Sequence, residues 1–266
     1  MHLIDKVVGG KGGEIMDYKL LAIDMDDTLL PEGLKISERT VSAIKKAQES
    51  GIKVVIATGR MFCSALPYLK QMNLVAESIT YNGALLKEIG SGEILDHQPV
   101  PLDLALEIAE FVTEKDLHLN IYLDDILYSN KLGFGADYYE KISGIKSVLI
   151  KEDINQFLDS SPTKLLIVEK DVAKVEEIFV SLEDRFGDRL NITRSKPRFI
   201  EIMKKDISKG VTLSKLVDQL EFSAKEVVAI GDSLNDLEMI QYAGLGVAVD
   251  NAWPEVKESA DYITKA

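Results

Sequence analysis

The sequence predicts an α/β protein: an open, mostly parallel sheet with helices on its faces, and a separate α+β unit inserted into the chain. Short apolar, β-rich runs separated by segments of helical period carry the first half of that expectation. Leu20 to Ile23, Ile52 to Ala57, Glu226 to Ile230 and Leu245 to Val249 are each too short for a helix and nearly continuous in apolar residues, as strands buried on both faces are. The second half comes from residues 84 to about 202, where hairpin-like pieces mix with helices and the regular alternation stops.

After the first strand, Ser37 can cap a helix that runs to Ser50, with Gly51 as its stop signal and Val41, Ile44 and Ala47 toward the core. The second strand follows, then further helix, then a strand over Ser78-Ile79-Thr80-Tyr81, which Asn82-Gly83 ends in a turn. Within the insertion the pattern predicts hairpins over Ala84 to Val100 and Leu119 to Ser129. Helices are expected over Leu102 to Lys115 and Val172 to Phe186, and strands over Lys164 to Val168 and Phe199 to Met203. Past Lys204-Lys205-Asp206, a helix opens at Lys209-Gly210 with Val211, Leu213, Leu216, Val217 and Leu220 at helical spacing. The Glu226 to Ile230 strand, a helix after Asn235, the Leu245 to Val249 strand and a short strand at Tyr262-Ile263 complete the core.

Polar residues gather where these strands stop. Asp24-Met25-Asp26-Asp27-Thr28 ends the first, Thr58-Gly59-Arg60 the second, and Gly231-Asp232-Ser233-Leu234-Asn235-Asp236 the third. Strand ends are where open α/β sheets bind ligands. With a period of two, Asp24 and Asp26 leave the chain on the same side, about 7 Å apart, and Asp27 faces the other way. Two like charges that close need a partner, and a hard cation such as Mg2+, which takes carboxylate and phosphate oxygens, supplies one.

The order Asp-x-Asp-x-Thr, Thr-Gly-Arg, Lys-Gly and Gly-Asp-x-x-Asn-Asp resembles the haloacid dehalogenase superfamily. The long insertion between Thr58 and Lys209 resembles its Cof-type sugar-phosphatase branch, with a large α/β cap of type IIB on a Rossmann-like core. The resemblance runs from Met16 to Ala266. It implies a core over residues 16–83 and 203–266 and a cap over 84–202. It departs at Asp27, where the family often has glycine.

The expected activity is Mg2+-dependent hydrolysis of small organic phosphate monoesters, sugar phosphates among them. Asp24 is the expected nucleophile, forming an aspartyl phosphate, and Asp26 the acid and base acting on leaving alcohol and attacking water. Asp24, Asp26 and Asp232 are the expected metal set, with the Asp26 carbonyl implied by the resemblance. Phosphoryl oxygens are expected on the Met25 and Gly59 N–H groups, the Thr58 hydroxyl, Lys209 and Asn235. Asp236 is expected to brace Lys209 or its loop, while Arg60 and Asn82 are candidates for support or substrate contact. Within the insertion, Tyr122, Asp125, Tyr128 and Arg194 are candidate determinants of the leaving group. A sugar phosphomutase with the same nucleophile and a non-catalytic phosphate-binding regulator are the alternatives.

Bland readings stand beside these. Asp27 and Thr28 can simply shape a turn, Asn235 can cap a helix, and Lys209 taken alone is an ordinary helix lysine. Gly231-Asp232-Ser233-Leu234 spells a lipase and esterase signature, but the last histidine is His118 and that signature normally opens a chain. Gly9-Gly10-Lys11-Gly12 lacks the hydroxyl residue of a phosphate-binding P-loop, and neither Asp-rich segment matches an EF-hand. His2, His97 and His118 have no partner at metal-ligand spacing.

With 266 residues, 46% hydrophobic, the chain can bury a sizeable core. A net charge of −13, from 31 basic and 44 acidic residues, argues against a nucleic-acid partner and leaves phosphate attraction to local groups. No apolar run reaches the length of a membrane span. The single Cys63 fits a reducing cytoplasm. A monomer or weak homodimer acting on a small phosphorylated metabolite is expected. Residues 1–15 read as a leader or an early-called start, since Lys11-Gly12-Gly13-Glu14 can be encoded by a purine-rich ribosome-binding sequence just before an ATG for Met16, which points to a bacterium. A flexible native tail is the other reading.

Overall fold

The computed structural model describes residues 18–30 and 35–265. The expectation for residues 1–15 lies outside the described residues. By their contacts the described residues divide into two compact units, those up to 96 together with 208–265, and residues 97–207.

The first unit is built on an eight-stranded sheet. In chain order its strands are β1 (Leu20–Asp24), β2 (Lys53–Ala57), β3 (Glu77–Thr80), β4 (Leu85–Glu88), β5 (Ile94–His97), β12 (Val227–Gly231), β13 (Leu245–Ala248) and β14 (Tyr262–Ile263). Across the sheet they lie in the order β14-β13-β12-β1-β2-β3-β4-β5. Pairing is parallel from β14 to β3, with Leu20 opposite Val227 on one side and Lys53 on the other. β4 turns back antiparallel on β3, pairing Thr80 with Leu85. The apolar runs of β1, β2 and β12 are buried on both faces, where Leu20, Ala22, Val55, Val227 and Ala229 pack with Leu213 and Leu216 of the Lys209–Gln219 helix. The Glu38–Glu49 helix starts where Ser37 accepts a hydrogen bond from the Thr40 N–H at 3.0 Å, and it buries Ile44 and Ala47, with Val41 only half-buried.

The second unit holds a six-stranded sheet of β6 (His118–Leu123), β7 (Ile126–Ser129), β8 (Val148–Leu149), β9 (Lys164–Val168), β10 (Leu190–Lys196) and β11 (Phe199–Lys204), ordered β10-β11-β9-β6-β7-β8. Its pairs are antiparallel except β7 with β8. The Leu102–Glu114 and Val172–Phe186 helices cover one face, burying Ile108, Val112, Ile178 and Leu182 against Leu119, Ile121, Ile167 and Ile200. The opposite side chains of the same strands are more polar: Lys164 meets Glu201 at 2.8 Å in a buried pair, and His118 Nε2 lies 2.9 Å from Asn120 Oδ1. His97 Nε2 lies 2.9 Å from Thr163 Oγ1. Both histidines are therefore held in hydrogen bonds.

The division at 96 and 208 differs from the expected insertion of 84–202. The hairpin after Gly83 belongs to the first sheet because β4 satisfies its backbone on β3, which would otherwise be an open edge. At the other end, β11 runs to Lys204 and pairs with β10 and β9, so its residues remain in the second unit. Among the described residues no helix is long and apolar enough to cross a membrane.

Candidate active site

Because β2, β1 and β12 are parallel neighbours, their C-terminal ends come side by side and bring Asp24, Thr58 and Asp232 together. Asp24, Thr58 and Asp232 are all buried. A fourth residue enters from the Lys209–Gln219 helix. Its start is set by Ser208, whose Oγ accepts from the Val211 N–H at 3.1 Å. The Lys209 side chain is 1% exposed, and its Nζ donates to Asp24 Oδ1 at 2.5 Å and to Asp236 Oδ1 at 2.7 Å. A lysine this deeply buried stays only where anions hold it.

Asp236 spends both oxygens inside the unit. Oδ1 holds Lys209, and Oδ2 accepts from the Asp232 and Ser233 N–H groups, each at 3.1 Å. Ser233 and Asp236 form a capping box around the Leu234–Asp236 turn. The cap of this segment is therefore Ser233 and not Asn235. Ser233 Oγ also lies 3.0 Å from Asn235 Oδ1, so its contacts are those of a turn and include no histidine. Asn235 donates through Nδ2 to Asn82 Oδ1 at 2.9 Å.

Asp26 goes elsewhere. Its carboxylate is gripped by Arg60, with Nε 2.9 Å from Oδ2 and Nη2 2.5 Å from Oδ1. The guanidinium carbon also lies 5.1 Å from the Tyr68 ring centre. Thr28 donates to Asp232 Oδ1 at 2.7 Å, and so sits at the site rather than only shaping a turn. Asp27 has a φ of 60°, a left-handed conformation that asparagine and aspartate tolerate better than most residues. That conformation explains why a glycine-preferring position accepts aspartate. The Thr58 hydroxyl accepts from the Arg60 N–H at 3.1 Å.

Carboxylate oxygens of Asp24, Asp232 and Asp236 lie within 4.8 Å of one another. This trio differs from the expected set by containing Asp236, since the Asp26 carboxylate is turned to Arg60. Three buried carboxylates face one ammonium. Burial drives the Asp24 carboxyl up to about 8, against the pull of Lys209 and with the help of Asp236 and Asp232. Burial likewise raises Asp232, opposed by the Thr28 hydroxyl. Burial would lower Lys209, but Asp24 and Asp236 outweigh it and hold the ammonium protonated. The excess negative charge and the all-oxygen donor set fit a hard divalent cation.

Of the expected cap residues, Tyr122 is buried with Lys164 Nζ 5.2 Å from its ring, and Tyr128 packs on Phe157 at 4.8 Å between ring centres. Arg194 pairs with Glu176 and lies over Phe179. These contacts lie within residues 97–207, where the fourth candidate, Asp125, is half-buried with a backbone φ of 60°.

A family model described as haloacid dehalogenase-like hydrolase matches residues 21–266. The chain is 35% identical over 254 residues to the 5-amino-6-(5-phospho-D-ribitylamino)uracil phosphatase YcsE of Bacillus subtilis, covering 94% of this chain and 91% of that one. It is 27% identical over 260 residues to the pyridoxal phosphate phosphatase YbhA of Escherichia coli, covering 93% of each. Among solved structures it resembles a haloacid dehalogenase-like hydrolase from Bacteroides thetaiotaomicron, with a TM-score of 0.86, 29% identity, and coverage of 93% of this chain and 94% of that one.

Proposed function

Because this chain belongs to the haloacid dehalogenase-like hydrolases and is a phosphoric monoester hydrolase, we propose that it cleaves small phosphorylated metabolites, sugar phosphates among them, through an aspartyl phosphate on Asp24. The observation that carries this reading is the buried Lys209 ammonium bridging Asp24 and Asp236 beside Asp232. A charge cluster this dense, gathered from two strand ends, a helix start and a turn, fits a divalent cation and the phosphate that the cation and Lys209 would neutralise.

Lys209 holds Asp24 Oδ1, and the other carboxylate oxygen attacks phosphorus. The bond from phosphorus to the leaving oxygen breaks, and Asp26 gives that oxygen its proton. Water then attacks the phosphorus of the aspartyl phosphate, Asp26 takes a proton from it, and inorganic phosphate leaves with Asp24 restored. Each proton transfer needs one Asp26 oxygen released from the Arg60 fork. The Thr58 hydroxyl, which accepts from the Arg60 N–H, has its own proton to donate to a phosphoryl oxygen, together with the Met25 and Gly59 N–H groups, Lys209 and Asn235. Asp24 and Asp232, with the Asp26 carbonyl, would hold Mg2+. That cation offsets the repulsion between attacking carboxylate and phosphate, roughly 4 kcal/mol per charge pair at 4 Å and intermediate dielectric. Residues 97–207 would act as the cap that selects the leaving group.

Support for small metabolites comes from the relatives, whose names specify a phosphoribityl compound and pyridoxal phosphate. A screen of phosphorylated metabolites with Mg2+, reading released phosphate, tests the proposal. EDTA should abolish the activity, Mg2+ should restore it, and Ca2+, with its looser and higher coordination, should inhibit. Full activity in EDTA would remove the metal, and product isomerisation without free phosphate would make the protein a mutase.

A further inference from the structure

Three consecutive residues after β3 have left-handed backbones: Tyr81 at φ 52°, Asn82 at 53° and Gly83 at 105°. For a tyrosine this conformation is a genuine outlier, and such strain persists only where neighbours over-determine it. Here they do. The Tyr81 N–H donates to the Arg60 carbonyl at 2.9 Å, the Asn82 N–H to the Thr58 carbonyl at 3.0 Å, and Thr212 Oγ1 to the Gly83 carbonyl at 2.7 Å. The loop is thus tied on one side to the Thr58-Gly59-Arg60 segment and on the other to the helix that begins with Lys209.

The conformation places the Asn82 side chain between two phosphate-binding candidates. A Cβ on Gly59 would come within 2.8 Å of Asn82 Oδ1, so the amide lies flat against that glycine. The same Oδ1 accepts from Asn235 Nδ2 at 2.9 Å. Asn235 Oδ1 meets Ser233 Oγ at 3.0 Å. With its oxygen on Ser233 and one amide hydrogen on Asn82, the Asn235 amide has a single orientation, and its second hydrogen remains to meet a phosphoryl oxygen.

We propose that Asn82 is a positioning residue for phosphate: it fixes the amide of Asn235 against the Gly59 loop, so that both offer their N–H groups to the same phosphoryl group. The proposal rests on the phosphatase reading above. It predicts that Asn82 acts through Asn235 and not by its own contact with phosphate, which a double-mutant cycle separates.

The cycle comprises Asn82→Gly, Asn235→Ala and the double variant, all in the full chain with Mg2+. Glycine suits position 82 because it adopts φ 53° without strain, so the backbone keeps its course. Inhibition by orthophosphate, KM and kcat for an aryl phosphate, and melting temperature are read for each. Loss of one hydrogen bond is worth up to about tenfold. Asn82→Gly and Asn235→Ala should each weaken orthophosphate inhibition by about tenfold, and the double variant should be no weaker than Asn235→Ala alone. Additive losses, about a hundredfold in the double variant, would overturn the proposal by showing that Asn82 meets phosphate itself. A lowered melting temperature with unchanged orthophosphate inhibition would overturn it by making Asn82 a brace of the fold. An inactive parent chain would overturn the phosphatase reading and this inference together, whereas an active parent with additive losses overturns this inference alone.

Discussion

Asparagine in place of Asp24 removes the proposed nucleophile while keeping its shape. The residue is 4% exposed, and Lys209 Nζ donates to its Oδ1 at 2.5 Å, a bond that an amide oxygen can still accept. The variant should therefore fold, yet lose at least about 10³ in kcat, or ~4 kcal/mol of barrier, because an amide does not attack phosphorus. Stability should move in the opposite direction. Burial raises the Asp24 carboxyl, Lys209 opposes it, Asp236 adds to it, and the result is about 8 against an ordinary 3.8. A carboxyl whose folded value lies above its unfolded value binds its proton more tightly in the native state. Metal-free stability must then fall as pH rises from the unfolded value toward the folded one, by at most ~1.4 kcal/mol per pH unit. The substituted amide does not titrate, so Asp24→Asn in EDTA should melt higher than the parent at pH 8 and by a smaller margin at pH 5. Turnover with Mg2+ and melting with EDTA are measured on the same preparations. Retention of a tenth of parental turnover would remove Asp24 as nucleophile, and equal pH slopes in the two proteins would place the extra proton on another member of the cluster.

Asp26→Asn should slow alkyl phosphates far more than aryl phosphates with good leaving groups, because only the former need a proton at the leaving oxygen. Equal slowing of both in a kinetic series would refute the acid role. Ser233→Ala should keep phosphatase turnover and cost no more than the about tenfold of one lost hydrogen bond to Asn235, and loss of a metal-independent esterase activity would show the opposite. Gly83→Ala meets both a φ of +105° and a Ser208 carbonyl oxygen 2.2 Å from the added Cβ. It should cost at least ~2 kcal/mol, a melting shift of roughly 4 °C or more, and a shift under about one degree would mean that the loop relaxes freely.

Local pattern made much of this fold legible. Apolar runs ending in carboxylates mark buried strands and their C-terminal ends within a few residues, and the Lys164–Val168 strand and Val172–Phe186 helix follow from period alone. Elements without such a pattern escaped it, the Phe134–Ser143 helix and β10 among them. The Phe134–Ser143 helix starts after Gly133 and contains Gly135, and its Tyr138 and Tyr139 are held by Phe199, at 5.7 and 5.8 Å between ring centres. β10 is mostly polar and is a strand because β11 pairs with it. The hairpin over 85–97 was readable as a hairpin, but an antiparallel pair looks the same in sequence whichever sheet edge receives it.

At the site, sequence order named the residues, and tertiary structure chose their partners. Asp24 and Asp26, two apart in the chain, share a side of an ideal strand, yet one meets Lys209 from 185 residues away and the other meets Arg60 from 34. Residue type and strand-end position determine that charge collects here, because they are local. Which carboxylate receives which cation depends on where the parallel sheet sets the ends of distant strands and the start of a distant helix, and a Coulomb interaction that falls with distance is decided only by that placement.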